Sequence, residues 1–337
     1  MASTSPPSNI VSFIPSSALF VGVSATADAN TLKVMTSNDG EIWALQTTPA
    51  DTFGNYWSLA HSPELNRVIA TKNGNGGTNG SHSIYTEDGV TWDAGPEFIP
   101  NHQISGDTLW VPELSKFISG TGVGSGSVWT SGDGITHTQF AGHAGSSGYS
   151  EMEWSAELGY GIEINSGDGH VYTTPTFEGS WTDLGLVAPA GISGSSPTKS
   201  LLWVSERSLF VYIASTGIYT SPTGLVWTQR QVLAGVSRGC LAWSSNLGRA
   251  VCVGAGPANF CYTSEDLLTW TSRTIQNLQW IAVARSETIG LFAAITLEAV
   301  GSNKISTSPD GITWTAQSTP SDSNVVWVNI IAAEGFG

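Results

Sequence analysis

Two acidic residues occupy matching places in the chain and could act together as an acid–base pair. Asp107 and Glu151 each stand three residues before a tryptophan, Trp110 and Trp154. Hydrolysis of a glycosidic bond requires two carboxyl groups at a suitable separation, one as acid and the other as base or nucleophile. Asp107 and Glu151 are therefore the best candidates for hydrolytic chemistry. The alternative is that both side chains face solvent, as most acids do in a chain of net charge −15.

A second group of chemically capable side chains lies in long polar segments. All six histidines fall between positions 61 and 170, several of them beside glycine- and asparagine-rich stretches. Aromatic faces and amide groups can bind hydroxyl-rich ligands without a metal, and no HxH or HxxxH spacing suggests metal ligation. We therefore expect a sugar- or receptor-binding surface without metal or cofactor. The candidate binding residues are His82, Asn101, His102, His143, Tyr149, Asp168 and His170.

Other site chemistries are not supported by the sequence. No Ser/His/Asp order, P-loop or dinucleotide fingerprint occurs in a suitable context, and the glycine-rich stretch 120–126 joins two strands. Cys240, Cys252 and Cys261 have no CxxC spacing, so we interpret them as small buried side chains.

The elements that must position these residues follow from a repeat. Seven segments end in a tight turn and an aromatic residue, which are Trp43, Trp92, His137, Trp181, Trp227, Trp270 and Trp314. The steps between them are 49, 45, 44, 46, 43 and 44 residues. A period in the forties that is built of strands predicts a seven-bladed β-propeller.

Each repeat has the pattern of four antiparallel strands, A to D. Residues 201–229 show four short β-branched and aromatic runs separated by turn residues, and no long stretch has helical periodicity. The turn between strands A and B also recurs. Its glutamates Glu64, Glu113 and Glu157 are better interpreted as turn residues than as catalysts because they occupy one repeated position.

The turn between strands C and D carries an aspartate that we predict to be structural. An Asp-Gly pair tolerates the positive φ values of a two-residue type I′ hairpin, and Ser, Thr and Asp side chains can bond nearby backbone amides. The tryptophan that follows should pack between blades. The predicted structural turn residues are Asp39, Asp88, Asp133, Asp266 and Asp310.

These turns resemble the Asp-box of sialidase-type propellers, although Asp and Gly are adjacent here and the loop is one residue shorter. The combined pattern, quoted from Trp243-Ser-Ser-Asn-Leu-Gly-Arg249 and Thr307-Ser-Pro-Asp-Gly-Ile-Thr-Trp-Thr315, is similar to repeats in phage tail or virion propellers and some bacterial surface proteins. A sialidase-like mechanism would need three clustered arginines. Arg67, Arg207 and Arg249 instead fall at A-to-B turns, on the face opposite the long loops.

The repeat also predicts the domain boundaries. Residues 1–16 form a Ser/Pro-rich tail, and residues 17–337 form one propeller of four-stranded antiparallel blades. The first repeat supplies only strands B, C and D, and its missing A strand is 325–332 near the other end of the chain. The ring should therefore be closed by a blade shared between the two ends, which removes exposed sheet edges.

Charge and the first residues narrow the partners. Twelve basic residues against 27 acidic ones would repel a nucleic-acid backbone. The first residues lack a basic start and an apolar run, so we expect neither a signal peptide nor membrane insertion. The expected location is a virion or the extracellular space without a signal peptide, and otherwise the cytoplasm.

Together these features lead to one expectation and two alternatives. The expectation is a non-enzymatic, virion- or tail-associated host-recognition protein that binds a cell-surface glycan or receptor, with residues 1–16 contacting other virion proteins. One alternative is a glycan-processing hydrolase that uses Asp107 and Glu151. The other is a structural assembly or decoration protein with no small ligand.

Overall fold

The structure of the protein is a computed structural model. It describes residues 17–26, 33–49, 55–73, 82–97, 104–121, 127–143, 150–165, 169–189, 199–256, 259–298, 303–320 and 325–336. The predicted tail, 1–16, lies outside these residues. Within the described ranges no helix is long and apolar enough to cross a membrane.

The described residues form 28 strands and two short 3-10 helices, Pro112–Leu114 and Ser205–Arg207. The first fifteen strands are β1 Ala18–Thr26, β2 Val34–Ser37, β3 Ala44–Gln46, β4 Asn55–Ser62, β5 Arg67–Asn73, β6 Ser83–Thr86, β7 Asp93–Ala94, β8 Ile104–Val111, β9 Lys116–Thr121, β10 Ser127–Ser131, β11 Thr138–Ala141, β12 Ser150–Ser155, β13 Tyr160–Asn165, β14 His170–Thr174 and β15 Thr182–Leu186. The remainder are β16 Leu201–Val204, β17 Leu209–Ala214, β18 Gly217–Ser221, β19 Thr228–Val232, β20 Arg238–Ser244, β21 Arg249–Ala255, β22 Phe260–Ser264, β23 Thr271–Ser272, β24 Trp280–Ser286, β25 Leu291–Thr296, β26 Ile305–Ser308, β27 Thr315–Gln317 and β28 Val326–Glu334.

These strands make seven four-stranded antiparallel sheets, so the predicted seven-bladed propeller is confirmed. Blade 1 has the order β28-β1-β2-β3, and blades 2 to 7 each consist of four consecutive strands, from β4–β7 to β24–β27. Strand β28 pairs antiparallel with β1, with Phe20 opposite Ala332. The shared blade is thus confirmed, and it leaves the ring closed by hydrogen bonds between the two ends of the described chain.

The C-to-D turns differ from the predicted type I′ hairpin. Six residues separate β2 from β3, and in this turn Gly40 has a positive φ (74°) while Asp39 does not. A type I′ turn needs positive φ at both central residues. Instead, Asp39 Oδ1 accepts hydrogen bonds of 2.8 Å from the backbone N–H groups of Glu41 and Ile42. The aspartate therefore organises a longer turn by accepting from the backbone.

The glycine of this turn also contacts the neighbouring blade. A Cβ atom on Gly40 would lie 2.9 Å from Leu291 Cδ1 in blade 7, so a side chain there would clash as well as strain the backbone. Trp43 is buried, and its Nε1 donates a 3.0 Å hydrogen bond to the Gly40 carbonyl. Its ring stacks on Phe20 with centroids 6.0 Å apart. In blade 1 the turn and the tryptophan therefore hold the outer hairpin against the core between blades.

Candidate active site

The A strand of every blade lies next to the central channel, and one position on it forms a ring of mostly polar residues. In four blades this position lies three residues before a tryptophan of strand A, namely Trp110, Trp154, Trp203 or Trp243. In the other three blades it is the residue in the same strand register. We call its residues the deep ring: Ser58, Asp107, Glu151, Ser200, Cys240, Ala282 and Asn329. Both predicted acids belong to it, as their spacing from tryptophan indicated.

Two residues further along each strand lies a second ring, on the same side of the strand because side chains alternate. We call it the turn-side ring: Ala60, Leu109, Glu153, Leu202, Ala242, Ala284 and Ile331. Six of its seven members are apolar. Glu153 is the exception, and it lies directly beyond Glu151 on β12.

A cavity of about 490 Å³ occupies this part of the channel. Its lining includes the whole turn-side ring together with Asp107, Cys240 and Asn329 of the deep ring. It extends to the exposed A-to-B turn residues Pro63 and Pro112. A ligand in this cavity would therefore contact the A-to-B side of the propeller. The binding residues predicted from the sequence belong instead to the long polar loops, which we expect on the opposite face.

Asp107 is positioned by an irregularity in its strand. The register of β8 against β9 shifts between Ile104 and Thr108, so extra residues are accommodated immediately before the carboxyl group. Gly106 makes this possible, because a Cβ atom there would lie only 3.0 Å from the backbone oxygen of Gly120. Bulges of this kind re-aim side chains and are frequent beside functional sites.

Asp107 is held by hydrogen bonds that both fall on one oxygen. Its Oδ1 accepts from Ser58 Oγ at 2.9 Å and from the Thr108 backbone N–H at 2.8 Å. Ser58 Oγ in turn accepts from the Thr108 N–H at 2.9 Å. Burial raises the pKa of Asp107, although the charge of Lys199 and these hydrogen bonds oppose the rise. The carboxylate is thus fixed in place while remaining a better base than an exposed aspartate.

Glu151 is the most strongly perturbed acid in the cluster. Burial, followed by the negative charge of Asp107, raises its pKa to about 8. Its Oε2 accepts a long, 3.4 Å hydrogen bond from the Ser200 backbone N–H. The fully buried Tyr212 also feels the Glu151 charge, and its Oη has no hydrogen-bond partner among the described residues. Glu151 consequently retains a proton at neutral pH.

A lysine in the channel compensates part of this negative charge. Lys199 Nζ lies 3.1 Å from Glu153 Oε2, and the two side chains are 40% and 12% exposed because both line the cavity. Burial works against the charged lysine, but the charges of Glu153 and Asp107 outweigh it and raise the Lys199 pKa. The pKa of Glu153 is also raised, mainly by burial. Lys199 therefore supplies a permanent positive charge beside the two acids.

The arrangement provides the parts of an acid–base hydrolase. The ionisable carboxyl group of Asp107 and the ammonium group of Lys199 line a cavity large enough for a small molecule, and the protonated Glu151 lies two residues from the lining residue Glu153, on the same side of β12. The described residues contain no group of three or more His, Cys, Asp or Glu side chains suited to holding a metal ion.

The loop residues predicted to bind ligands are placed differently. Asn101, His102, Tyr149 and Asp168 lie outside the described residues, and His82 is half-buried at the start of the segment that leads into β6. No described contact joins it to the other predicted binding residues.

His143 and His170 both pack against Tyr172 in blade 4. His143 is buried, contrary to the expectation of an exposed loop residue: its Nε2 lies 3.0 Å from Glu163 Oε1, and its ring stacks on Tyr172 at 3.4 Å. His170 is on strand β14, with Nδ1 3.5 Å from Asp183 Oδ1. These contacts are typical of packing between neighbouring elements rather than of an open binding surface.

Three of the residues that line the channel cavity, Glu153, Cys240 and Lys199, were not predicted from the sequence. Glu153 could have been found, because a residue two places from Glu151 shares its side of the strand. Cys240 could also have been found, since it stands three residues before Trp243 as Asp107 does before Trp110. Lys199 gave no such signal, because it precedes the regular part of its blade.

Comparisons with known proteins identify the fold. No protein-family model and no curated protein matches the chain. A periplasmic gluconolactonase from Pseudomonas aeruginosa is similar in structure, with TM-score 0.63, 12% identity, and 93% of this chain and 99% of that one covered. A Bacteroides fragilis protein assigned as a 6-phosphogluconolactonase has TM-score 0.63 and 11% identity, with 96% and 99% covered. A chain from a nidogen/laminin complex has TM-score 0.56 and 9% identity, with 94% and 98% covered.

These findings correct the functional expectation. The similar propellers that are covered almost completely include gluconolactonases, and the channel contains buried acids of perturbed pKa. The interpretation as a non-enzymatic host-recognition protein is therefore wrong as the leading one. The hydrolase alternative based on Asp107 and Glu151 agrees better with both observations.

Proposed function

We propose that the protein is a hydrolase that opens a small cyclic ester, a lactone, in the channel cavity. The observation that carries the proposal is the grouping of Asp107, Glu151 and Lys199 at one level of the channel, with the acids desolvated and electrostatically coupled. Perturbed carboxyl groups that converge on a cavity are a physical marker of active sites. The similarity to gluconolactonases supports the choice of an ester, although at 12% identity it establishes only the fold.

In the proposed reaction Asp107 is the general base. Since both of its hydrogen bonds use Oδ1, Oδ2 takes a proton from a water molecule as the water oxygen bonds to the lactone carbonyl carbon. The tetrahedral intermediate then carries a negative oxygen. The Lys199 ammonium, which lines the cavity, stabilises this charge.

Glu151 is the general acid in the second half of the reaction. The bond between the carbonyl carbon and the ring oxygen breaks, and the protonated Glu151 gives its proton to the leaving alkoxide. The proton held by Asp107 returns to Glu151 through solvent, which restores both groups. One water molecule is consumed, and the product is the open-chain hydroxy acid, which ionises in solution.

The test compares two aspartates of the same chain. The purified protein should hydrolyse δ-gluconolactone faster than buffer alone, and Asp107→Asn should lower the enzymatic rate by about 100- to 10,000-fold. The matched control is Asp310→Asn, which makes the same change in a surface turn and should leave the rate nearly unchanged. Equal rates for wild type and Asp107→Asn, with both folded, would contradict the assignment.

Hydrolysis of a glycosidic bond is the second candidate. It is favoured by one specific observation: Glu151 holds a proton at neutral pH, as the general acid of a glycosidase must. Aryl glycosides assayed beside the lactone decide between the two reactions. Release of the aryl group without lactone opening would favour the glycosidase.

A further inference from the structure

We infer that the substrate of this channel is an uncharged lactone with an apolar substituent, rather than a phosphorylated sugar lactone. The inference rests on the proposed function and specifies its substrate class. It is carried by the charges and the apolar surface of the cavity.

The negative charges of the cavity outnumber its positive ones. Asp107 and Glu153 are in the lining. Glu334 adds a further acid at the A-to-B end. Lys199 compensates one of these charges. A phosphate group that entered would therefore meet a net negative potential, which opposes its binding because like charges repel at close approach.

The basic side chains of the described lining are neutral or already balanced by an acid, so none adds uncompensated positive charge for a phosphate dianion. The lysine is already paired with Glu153 at 3.1 Å. Arg285 donates to Glu287 Oε2 from Nε at 3.1 Å and from Nη2 at 2.9 Å, and its guanidinium also lies 4.9 Å from the centre of the Phe292 ring. The third, His61, is neutral because burial lowers its pKa to about 4.

The remainder of the wall is suited to hydrocarbon. Opposite the acids of blades 3 and 4, blades 6, 7 and 1 contribute Ala242, Val283, Ala284, Ile330 and Ile331 to the lining, and the polar residues from these blades are Arg285, Asn329 and Glu334. Small alanine side chains leave room in this part of the wall, and an alkyl group placed there would be removed from water. The cavity thus has one polar side for the ester and one apolar side for a substituent.

The experiment measures kcat/KM of the wild-type protein for three lactones: δ-decalactone, δ-gluconolactone and 6-phosphogluconolactone. We expect kcat/KM for the phosphorylated compound to be at least about 100-fold lower than for either neutral lactone. The kcat/KM for δ-decalactone should be the highest of the three. A phosphorylated substrate equal to or better than δ-gluconolactone would overturn the charge argument. A δ-decalactone rate below that of δ-gluconolactone would overturn the apolar substituent.

Charge variants sharpen this test. Glu153→Gln removes one negative charge and releases Lys199. It should therefore raise the ratio of kcat/KM for the phosphorylated substrate to kcat/KM for δ-gluconolactone by about 10-fold. Glu265→Gln makes the same charge change at an exposed side chain paired with Arg249 and should leave the ratio unchanged. An unchanged ratio in Glu153→Gln would contradict our account of the cavity.

Failure of the proposed function and failure of this inference give different results. If no lactone is hydrolysed above the buffer rate, the proposed function is wrong, and binding then tests the inference separately. Calorimetry with the unreactive gluconolactam, with its 6-phosphorylated form and with an alkyl-substituted lactam should rank the alkyl compound first and the phosphorylated compound last. Tighter binding of the phosphorylated lactam, or binding of none of the three, would overturn the substrate class.

Discussion

Carboxyl groups in two regions of this propeller have opposite properties. In the C-to-D turns, Asp266 lies near the surface, and hydrogen bonds from the backbone N–H groups of Thr269 and Leu268 lower its pKa to about 2. In the channel, Glu151 is desolvated beside another acid, and its pKa is raised to about 8. In the turns the carboxyl group is a permanent anion that accepts hydrogen bonds from the backbone. In the channel the same group holds a proton at neutral pH.

The difference follows from how each region depends on the repeat. The turn aspartates recur because each blade needs the same hairpin, and the bonds of Asp39 recur in Asp88, Asp133, Asp266 and Asp310. The deep ring has seven equivalent positions, but only two neighbouring blades place acids there. In a repeat protein, residues that depart from the repeat at a lining position are therefore the better guide to function.

The largest effect should come from opening the ring on which both regions depend. Deleting residues 325–337 removes β28, which supplies Asn329 and Ile331 to the channel and the pairing partner of β1. An open sheet edge and a lost innermost strand should unfold or aggregate the protein. Thermal melting followed by circular dichroism checks this. A truncated protein with the wild-type melting temperature would show that closure does not stabilise the ring.

A smaller effect, specific to the channel, should appear in the pH dependence of stability. The folded-state pKa of Glu151 lies above its ordinary value of 4.5, so the folded protein binds the extra proton and loses stability as pH rises from about 5 to about 8. Glu151→Gln removes this loss, and it should be more stable than wild type by about 2 to 4 kcal/mol at pH 9 but not at pH 4.

Urea unfolding between pH 4 and pH 9 gives the free energies for this comparison. The matched control is Glu265→Gln, which makes the same substitution at a side chain that is 70% exposed. A constant difference between Glu151→Gln and wild type across this range would mean that Glu151 titrates normally.

The smallest effect should come from a single turn. Burial alone would raise the pKa of Asp310, but the backbone N–H groups of Thr313 and Ile312 outweigh it and lower the pKa. Asp310→Ala should cost about 0.5 to 2 kcal/mol at pH 7, as for loss of a capping carboxylate. The cost should shrink as pH falls below 3.8 and the wild-type carboxylate is protonated.

Chemical denaturation of Asp310→Ala at pH 7 and pH 2.5, with lactone hydrolysis at pH 7, checks this prediction. The hydrolysis rate should equal that of wild type. Loss of activity at unchanged stability would assign the turn a functional role and remove the contrast between the two regions.

The sequence predicts much of this fold because its signals are local and repeated. Turn residues and tryptophans at a period in the forties specify the blades, and the unpaired segment around Trp327 specifies closure. The turn type was wrong because the Asp-Gly rule applies to two-residue loops, whereas Asp39 accepts from residues two and three places later. The local sequence pattern does not show how many residues the turn contains.

The sequence predicts only those site residues that occupy a recurring position on strand A. Asp107 and Glu151 share a spacing from tryptophan, but the pairing of Lys199 with Glu153 joins two blades and has no sequence signature. The burial of His143, which lies in the predicted loop after β11, could not be predicted for the same reason. Its polar neighbours suggest an exposed loop, while Glu163 and Tyr172 of the next blade cover it.

The pH dependence of lactone hydrolysis tests the central claim most directly, namely that the channel acids of raised pKa perform the chemistry. The wild-type kcat/KM for δ-gluconolactone, corrected for the buffer reaction at each pH, should fall above a pKa of about 8 as Glu151 loses its proton. Glu151→Gln should be slower and should lack this fall. A Glu151→Gln profile that matches wild type in rate and shape would contradict the account.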